Sequence, residues 1–173
     1  MAKKSVKNFL LSKVVALGCA LLSLILLVSS TITHVTESKL GEAEAEYNAW
    51  DLVTNNVEVG KAPLKVELDF SEYTARTFML IATILIAVVV VYFAVSLVLT
   101  MLRVKHPLGK YEKIVSVVLV VGVLVWGLAQ LFPYEHKDNL INVTETFKTM
   151  NLLWGLALAS SIGAVAAKVA LTK

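Results

Sequence analysis

The stretch Leu64–Leu80, LKVELDFSEYTARTFML, changes character in its middle, and the fold turns on how that change is read. Its first half alternates. Leu64, Val66, Leu68 and Phe70 fall on one face of an extended chain, and Lys65, Glu67 and Asp69 on the other, the period-two signature of a half-buried strand. Its second half passes Arg76 and opens an apolar run with no charged residue until Arg103. A strand that leads within a few residues into such a run implies a sheet carried directly on a membrane-spanning helix.

The rest of the composition agrees. Of 173 residues, 57% are hydrophobic, and the mean hydropathy of +0.75 lies far above that of ordinary soluble domains. About 20 predominantly apolar residues span a bilayer. Four windows meet that requirement, at about 9–30, 77–102, 114–132 and 150–171. Lys13 and Lys168 fall inside the first and last windows, close to their ends, where snorkelling to the headgroups is expected. The expected fold class is an all-α membrane protein with a small extracellular β-sheet: one four-helix domain over 1–173, a long β-rich loop at 31–76 and a short loop at 133–149. Lys3, Lys4 and Lys7 precede an apolar segment too long for a usual signal-peptide core, so the first window reads as a retained helix.

Charge sets the expected orientation. In the four-span arrangement ten of the sixteen basic residues (Lys3, Lys4, Lys7, Lys13, Arg103, Lys105, Lys110, Lys113, Lys168 and Lys173) share one side with a single acid, Glu112. The other side holds six bases and twelve acids. Basic residues are retained in the cytoplasm, which predicts cytoplasmic termini, an integral membrane protein inserted through the secretory pathway, and the loops at 31–76 and 133–149 outside. Cys19 is the sole cysteine, so an intrachain disulfide is excluded.

The first loop is patterned for order. "NNVEVGKAPLKVELDF" reads as a hairpin, with Val57 and Val59 before a turn containing Gly60 and Pro63. "TITHVTESKL" suggests a third strand, and "GEAEAEYNAWDLV" allows either a strand or a helical turn. Tyr47, Trp50, Leu64, Val66, Leu68 and Phe70 are expected to pack together above the bundle, with Tyr73 in the interfacial belt. The second loop is expected to add one edge strand over 140–146.

Catalytic chemistry finds no support in the pattern. His34, His106 and His136 lack metal-ligand spacing, and no nucleophile elbow, zinc-protease helix or phosphate loop occurs. Ser160 and Ser161 have no base nearby in sequence, and Gln130 lies at a helix end. The helix interiors carry no acid, which disfavours an ion-coupled carrier. No catalytic, cofactor or metal residue is therefore assigned, and nucleic acid is not an expected partner. The acidic loop, with Glu42, Glu44, Glu46, Glu67 and Asp69 among its members, is either a solvated face or a surface for a cation or basic partner. Asn142 heads an N-glycosylation sequon, "NVT". Gly155, Ala159, Gly163 and Ala167 recur every fourth residue, the small-residue spacing that lets helix backbones approach in lipid.

Trp50 and "TARTFMLIATIL" (Thr74–Leu85) carry a distant resemblance to the claudin superfamily, which includes the peripheral myelin protein and stargazin-like families. The resemblance extends to the four-span topology along the whole chain. Where that superfamily has a Gly-Leu-Trp motif and a pair of loop cysteines, this chain reads "NAWDLV" and has no loop cysteine. The resemblance implies a β-rich first loop seated on the bundle and an arginine, here Arg76, at the membrane edge beneath it. It further implies a non-enzymatic structural protein that assembles laterally or with other membrane proteins at a cell junction or barrier of the plasma membrane. An auxiliary subunit of a channel or receptor complex is the alternative within the same superfamily.

Overall fold

Seams of buried residues on four long helices define the architecture. The computed structural model describes residues 2–38, 41–59, 66–105, 107–138 and 141–171, with side chains at 2–7, 136–138 and 141–142 left aside. The helices are α1 (Ala2–Val28), α3 (Thr74–Met101), α4 (Glu112–Leu128, extended by a 3₁₀ turn to Leu131) and α5 (Leu152–Ala170). Each contains a segment long and apolar enough to cross a membrane. α1 and α4 each pack on both α3 and α5, forming a ring of neighbours.

The main line of buried positions steps by three and four along every helix. On α1 they are Lys13, Ala16, Ala20, Ser23 and Leu27; on α3, Met79, Ala82, Ile86, Val89, Phe93 and Ser96. On α4 they are Glu112, Ser116, Leu119, Val123 and Trp126; on α5, Ala157, Ser161, Ala164 and Lys168. This three–four alternation is the spacing of a packed helix–helix seam. The α1–α5 contact is close because its residues are small: Ser23 donates to the Ala157 carbonyl at 3.0 Å, and Ser160 to the Cys19 carbonyl at 3.0 Å.

Both loops build one antiparallel sheet of order β2-β1-β6-β5, with β1 (Thr31–Ser38), β2 (Gly41–Asn48), β5 (Tyr134–Asp138) and β6 (Ile141–Lys148). The "TITHVTES" segment is thus a central strand. The second loop supplies a hairpin rather than one edge strand, and β6 lies between β1 and β5. "GEAEAEYN" resolves as strand β2, and a short helix, α2 (Ala49–Thr54), follows it. Asn48 caps α2 by accepting from the Trp50 amide at 2.8 Å, and Asn55 ends it at φ 59°, a region where asparagine is among the better-tolerated residues.

The alternating stretch at 64–70 contributes less than expected. Among its described residues, 66–70, only Val66–Leu68 (β4) are strand, paired with β3 (Val57–Val59) in a separate two-stranded ribbon. Leu64 lies outside the described residues. Val66 is exposed, Leu68 half-buried and Phe70 buried. Trp50 is exposed as well, so it and Val66 do not join the packed cluster. A two-stranded ribbon has too little area to shield both ends of a short strand. Phe70 is covered because the chain turns under the main sheet there, not because the alternation continues.

Candidate functional site

The sheet has two chemically distinct faces. Toward the bundle, Ile32, His34, Tyr47 and Phe147 meet Phe70 and Tyr73 from the corner before α3. His34 stacks on Phe147 with centroids 4.9 Å apart, and Phe70 packs edge-on to both His34 and Phe147. In this aromatic setting Glu145 is the hub: His34 Nε2 lies 2.8 Å from its Oε2, and the Tyr73 hydroxyl donates to the same oxygen at 2.5 Å. Burial first, then the hydrogen bond to Glu145 and its negative charge, pushes the Tyr73 phenol well above its ordinary range. Tyr47 shifts upward for the same two physical reasons, burial and the Glu145 charge. The polar triad ties β1, β6 and the start of α3 together.

The face away from the bundle is polar and acidic. Cross-strand register places Thr33, Val35 and Glu37 of β1 beside Glu46, Glu44 and Glu42 of β2, and beside Lys148, Thr146 and Thr144 of β6. Glu42, Glu44 and Glu46 are all exposed. Lys148 bonds Glu44 at 2.5 Å, which raises the lysine's pKa. Glu67 and Asp69 are exposed too, but they belong to the ribbon and its exit, not to this face. Asp69 is committed to local structure: it accepts from Asn55 Nδ2 and from the Ser71 amide, both at 2.8 Å, and these bonds hold its carboxyl below the usual range.

Backbone and side-chain bonds seat the sheet. The Ala49 amide donates to the Ser30 carbonyl at 2.8 Å, Asn151 Nδ2 to the Thr31 carbonyl at 2.9 Å, and Thr149 to the Gly127 carbonyl at 2.9 Å. Half-buried Arg76 donates from Nε to the Leu52 carbonyl at 3.2 Å, anchoring α2 on the start of α3.

A second cluster lies at the opposite end of the bundle. Lys13, Ser96 and Lys168 converge on the carboxylate of Glu112, so one acid is bonded from three other helices. Lys13 bonds Glu112 Oε1 and also donates to Ser96 Oγ at 2.7 Å, while Lys168 donates to Glu112 Oε2 at 2.7 Å. All four side chains are buried. The expectation that the two lysines snorkel outward is thereby overturned: they turn inward, because an acid on a facing helix supplies what the headgroups would. Helix dipoles help two of the three charges, as Glu112 sits in the first turn of α4 and Lys168 in the last turn of α5. Sequence reading missed this cluster although its signal was present. The four polar residues continue the three–four seams of their own helices, and Glu112 is the one acid among ten bases on its side.

The small-residue stripe of α5 is divided. Ala167 is buried and Gly163 half-buried, where an added Cβ would stand 3.5 Å from Cys19 Sγ. Gly155 and Ala159 are exposed, so the intramolecular seam runs instead through Ala157, Ser161, Ala164 and Lys168. Leucine-free backbones are needed against α1, but the helix rotation that brings Lys168 to Glu112 turns Gly155 outward. Asn142 falls near the turn of the β5–β6 hairpin, and its side chain lies outside the described residues. Among the described residues no three histidine, cysteine or acidic side chains are grouped to hold a metal ion. No family model, curated protein or solved structure matches this chain.

Proposed function

We propose that this chain is a claudin-like structural and interaction protein of the plasma membrane that displays a partner-binding sheet at a cell junction or barrier. The observation that carries the reading is the sheet itself: strands from both loops form one platform, bonded to the helices beneath, with its far face lined by Glu37, Glu42, Glu44 and Glu46. A platform fixed this way loses little conformational entropy on association, and its acidic face favours a basic partner. The ten-to-one basic excess at the other end supports cytoplasmic termini and a sheet outside the cell. The resemblance at Thr74–Leu85 supports the same assignment.

The second reading, an auxiliary subunit docked beside a larger membrane protein, draws on a different surface. Gly155 and Ala159 leave an outward-facing strip of α5 on which another helix can approach closely.

Two measurements test these readings. In a Cys19→Ser background, cysteines placed at Ser5 and Glu44 are expected to label from opposite sides of a sealed membrane; labelling from one side refutes the orientation. Mild-detergent purification followed by mass spectrometry should recover homo-oligomers or junctional partners from wild type and lose them in a Glu42→Lys/Glu44→Lys/Glu46→Lys variant. Partner recovery unaffected by that variant but lost with Gly155→Leu transfers the assignment to the auxiliary role.

A further inference from the structure

Beside the Glu112 cluster, the bundle surface opens into a groove of about 330 Å³, lined by Phe9 and Leu10 of α1, Thr100 and Met101 of α3, and Arg103 just beyond. Its walls are mostly apolar, and among the described residues Arg103 is the charged one in the lining. The surroundings are uniformly basic at the surface: Arg103, Lys105, Lys110 and Lys113 are exposed, whereas Glu112, the single acid at this end, is buried. Behind the groove, two lysines against one glutamate leave the buried cluster formally at +1.

The backbone at Arg103 is the second observation. α3 ends in a Schellman motif, with the Val104 amide donating to the Leu99 carbonyl at 3.0 Å and the Arg103 amide to the Thr100 carbonyl at 3.1 Å. The residue at its left-handed position, φ 56°, is Arg103. Glycine is the usual occupant there because a Cβ is disfavoured. Helix termination alone therefore does not account for an arginine, and Arg103 lines an apolar groove just past the end of α3.

We propose that this groove is a binding site for an anionic phospholipid of the adjacent leaflet, with the acyl chain along Phe9, Leu10 and Met101 and the phosphate held by Arg103. A guanidinium matches a phosphate with paired donors, while the net positive field of this end excludes cations and favours anionic headgroups over zwitterionic ones. The inference does not depend on what the sheet binds.

Native mass spectrometry of the full chain, purified in mild detergent and titrated with phosphatidylglycerol or phosphatidylcholine of identical acyl chains, tests the assignment. Wild type is expected to retain phosphatidylglycerol preferentially. Arg103→Gly keeps the backbone motif and relieves its left-handed residue, so the fold should be at least as heat-resistant while the preference falls about fivefold or more. Leu10→Trp, which fills the groove, should lower retention of both lipids. Lys105→Gln, on the same surface but outside the groove, should change the preference less than Arg103→Gly. Equal retention of the two lipids by wild type overturns the proposal. So does an equal loss in Lys105→Gln and Arg103→Gly, which would reduce the effect to general surface charge.

Discussion

Glu112→Gln is the most informative single change in this molecule. The substitution is nearly isosteric, so it leaves packing in place; it removes the charge and replaces one of the two accepting oxygens by an NH2 donor. Two buried ammonium groups, on Lys13 and Lys168, then lose their counter-ion at once, and both are about 1% exposed. Removing one partner of a buried ion pair costs about 3–5 kcal/mol, chiefly because the remaining charge is left uncompensated. Here two charges are stranded, so the loss should reach at least the upper part of that range, against a total stability of about 5–15 kcal/mol for a typical domain. Thermal unfolding in mild detergent, followed by tryptophan fluorescence and by aggregation, measures it. Replacing the whole cluster gives the necessary contrast: Lys13→Met/Glu112→Leu/Lys168→Met removes every charge and should lie within a few kcal/mol of wild type. If Glu112→Gln alone unfolds at the wild-type temperature, the lysines reach water or headgroups after all, and the buried cluster is refuted.

Further outcomes follow from other sites. Tyr73 has its phenol pKa raised by burial and by Glu145, so the stability linked to it is intact below about pH 10, where the unfolded phenol titrates, and declines as pH rises above that; hydrogen exchange of β1 and β6 at pH 8 and pH 11 should show this, and Tyr73→Phe should diminish the alkaline loss. Phe70→Ala opens a cavity beneath the sheet and should cost about 3–5 kcal/mol, seen as faster protease cleavage between residues 31 and 76; cleavage at the wild-type rate in this variant and in Arg76→Leu would mean that the first loop is not seated on the bundle. Gly127→Ala places a Cβ about 2.7–2.9 Å from the Trp154 indole and should cost about 1–3 kcal/mol in detergent unfolding. Gly155→Ala meets nothing within 4 Å and should be neutral or stabilise by up to about 1 kcal/mol.

The sequence was most legible where one physical rule dominates. Apolar length alone marked the four helices, and α3 begins at Thr74, within a turn of the expected 77. The loops were harder because their order is non-local. β1 and β6 stand more than a hundred residues apart, and neither sequence says which strand lies beside it. The local alternation at 64–70 was the clearest strand signal in the chain, yet of its described residues, 66–70, only three pair, and they do so outside the main sheet, whose central positions go to β1 and β6. The polar cluster illustrates the reverse case. Each lysine taken alone fits snorkelling, and only the shared seam register of Lys13, Ser96, Glu112 and Lys168 reveals that they meet. The opposite roles of Gly155 and Ala167 on one four-residue stripe have the same origin, because a period of four drifts around a 3.6-residue helix.

The four-way bond at Glu112 also bears on how the chain is made. A lone lysine or acid at the centre of an inserting helix costs about 2.5–3.5 kcal/mol on translocon-based scales, less toward its ends. During synthesis α1 enters first with Lys13, and Glu112 arrives with α4, so the three-helix nascent chain already holds a balanced pair before Lys168 emerges with α5. The last helix then adds a cation to a site that is electrically closed, drawn by the second carboxylate oxygen. A chain arrested before α5 is therefore expected to hold no unmatched charge in this cluster, whereas one missing α4 would leave Lys13 and Lys168 without their carboxylate.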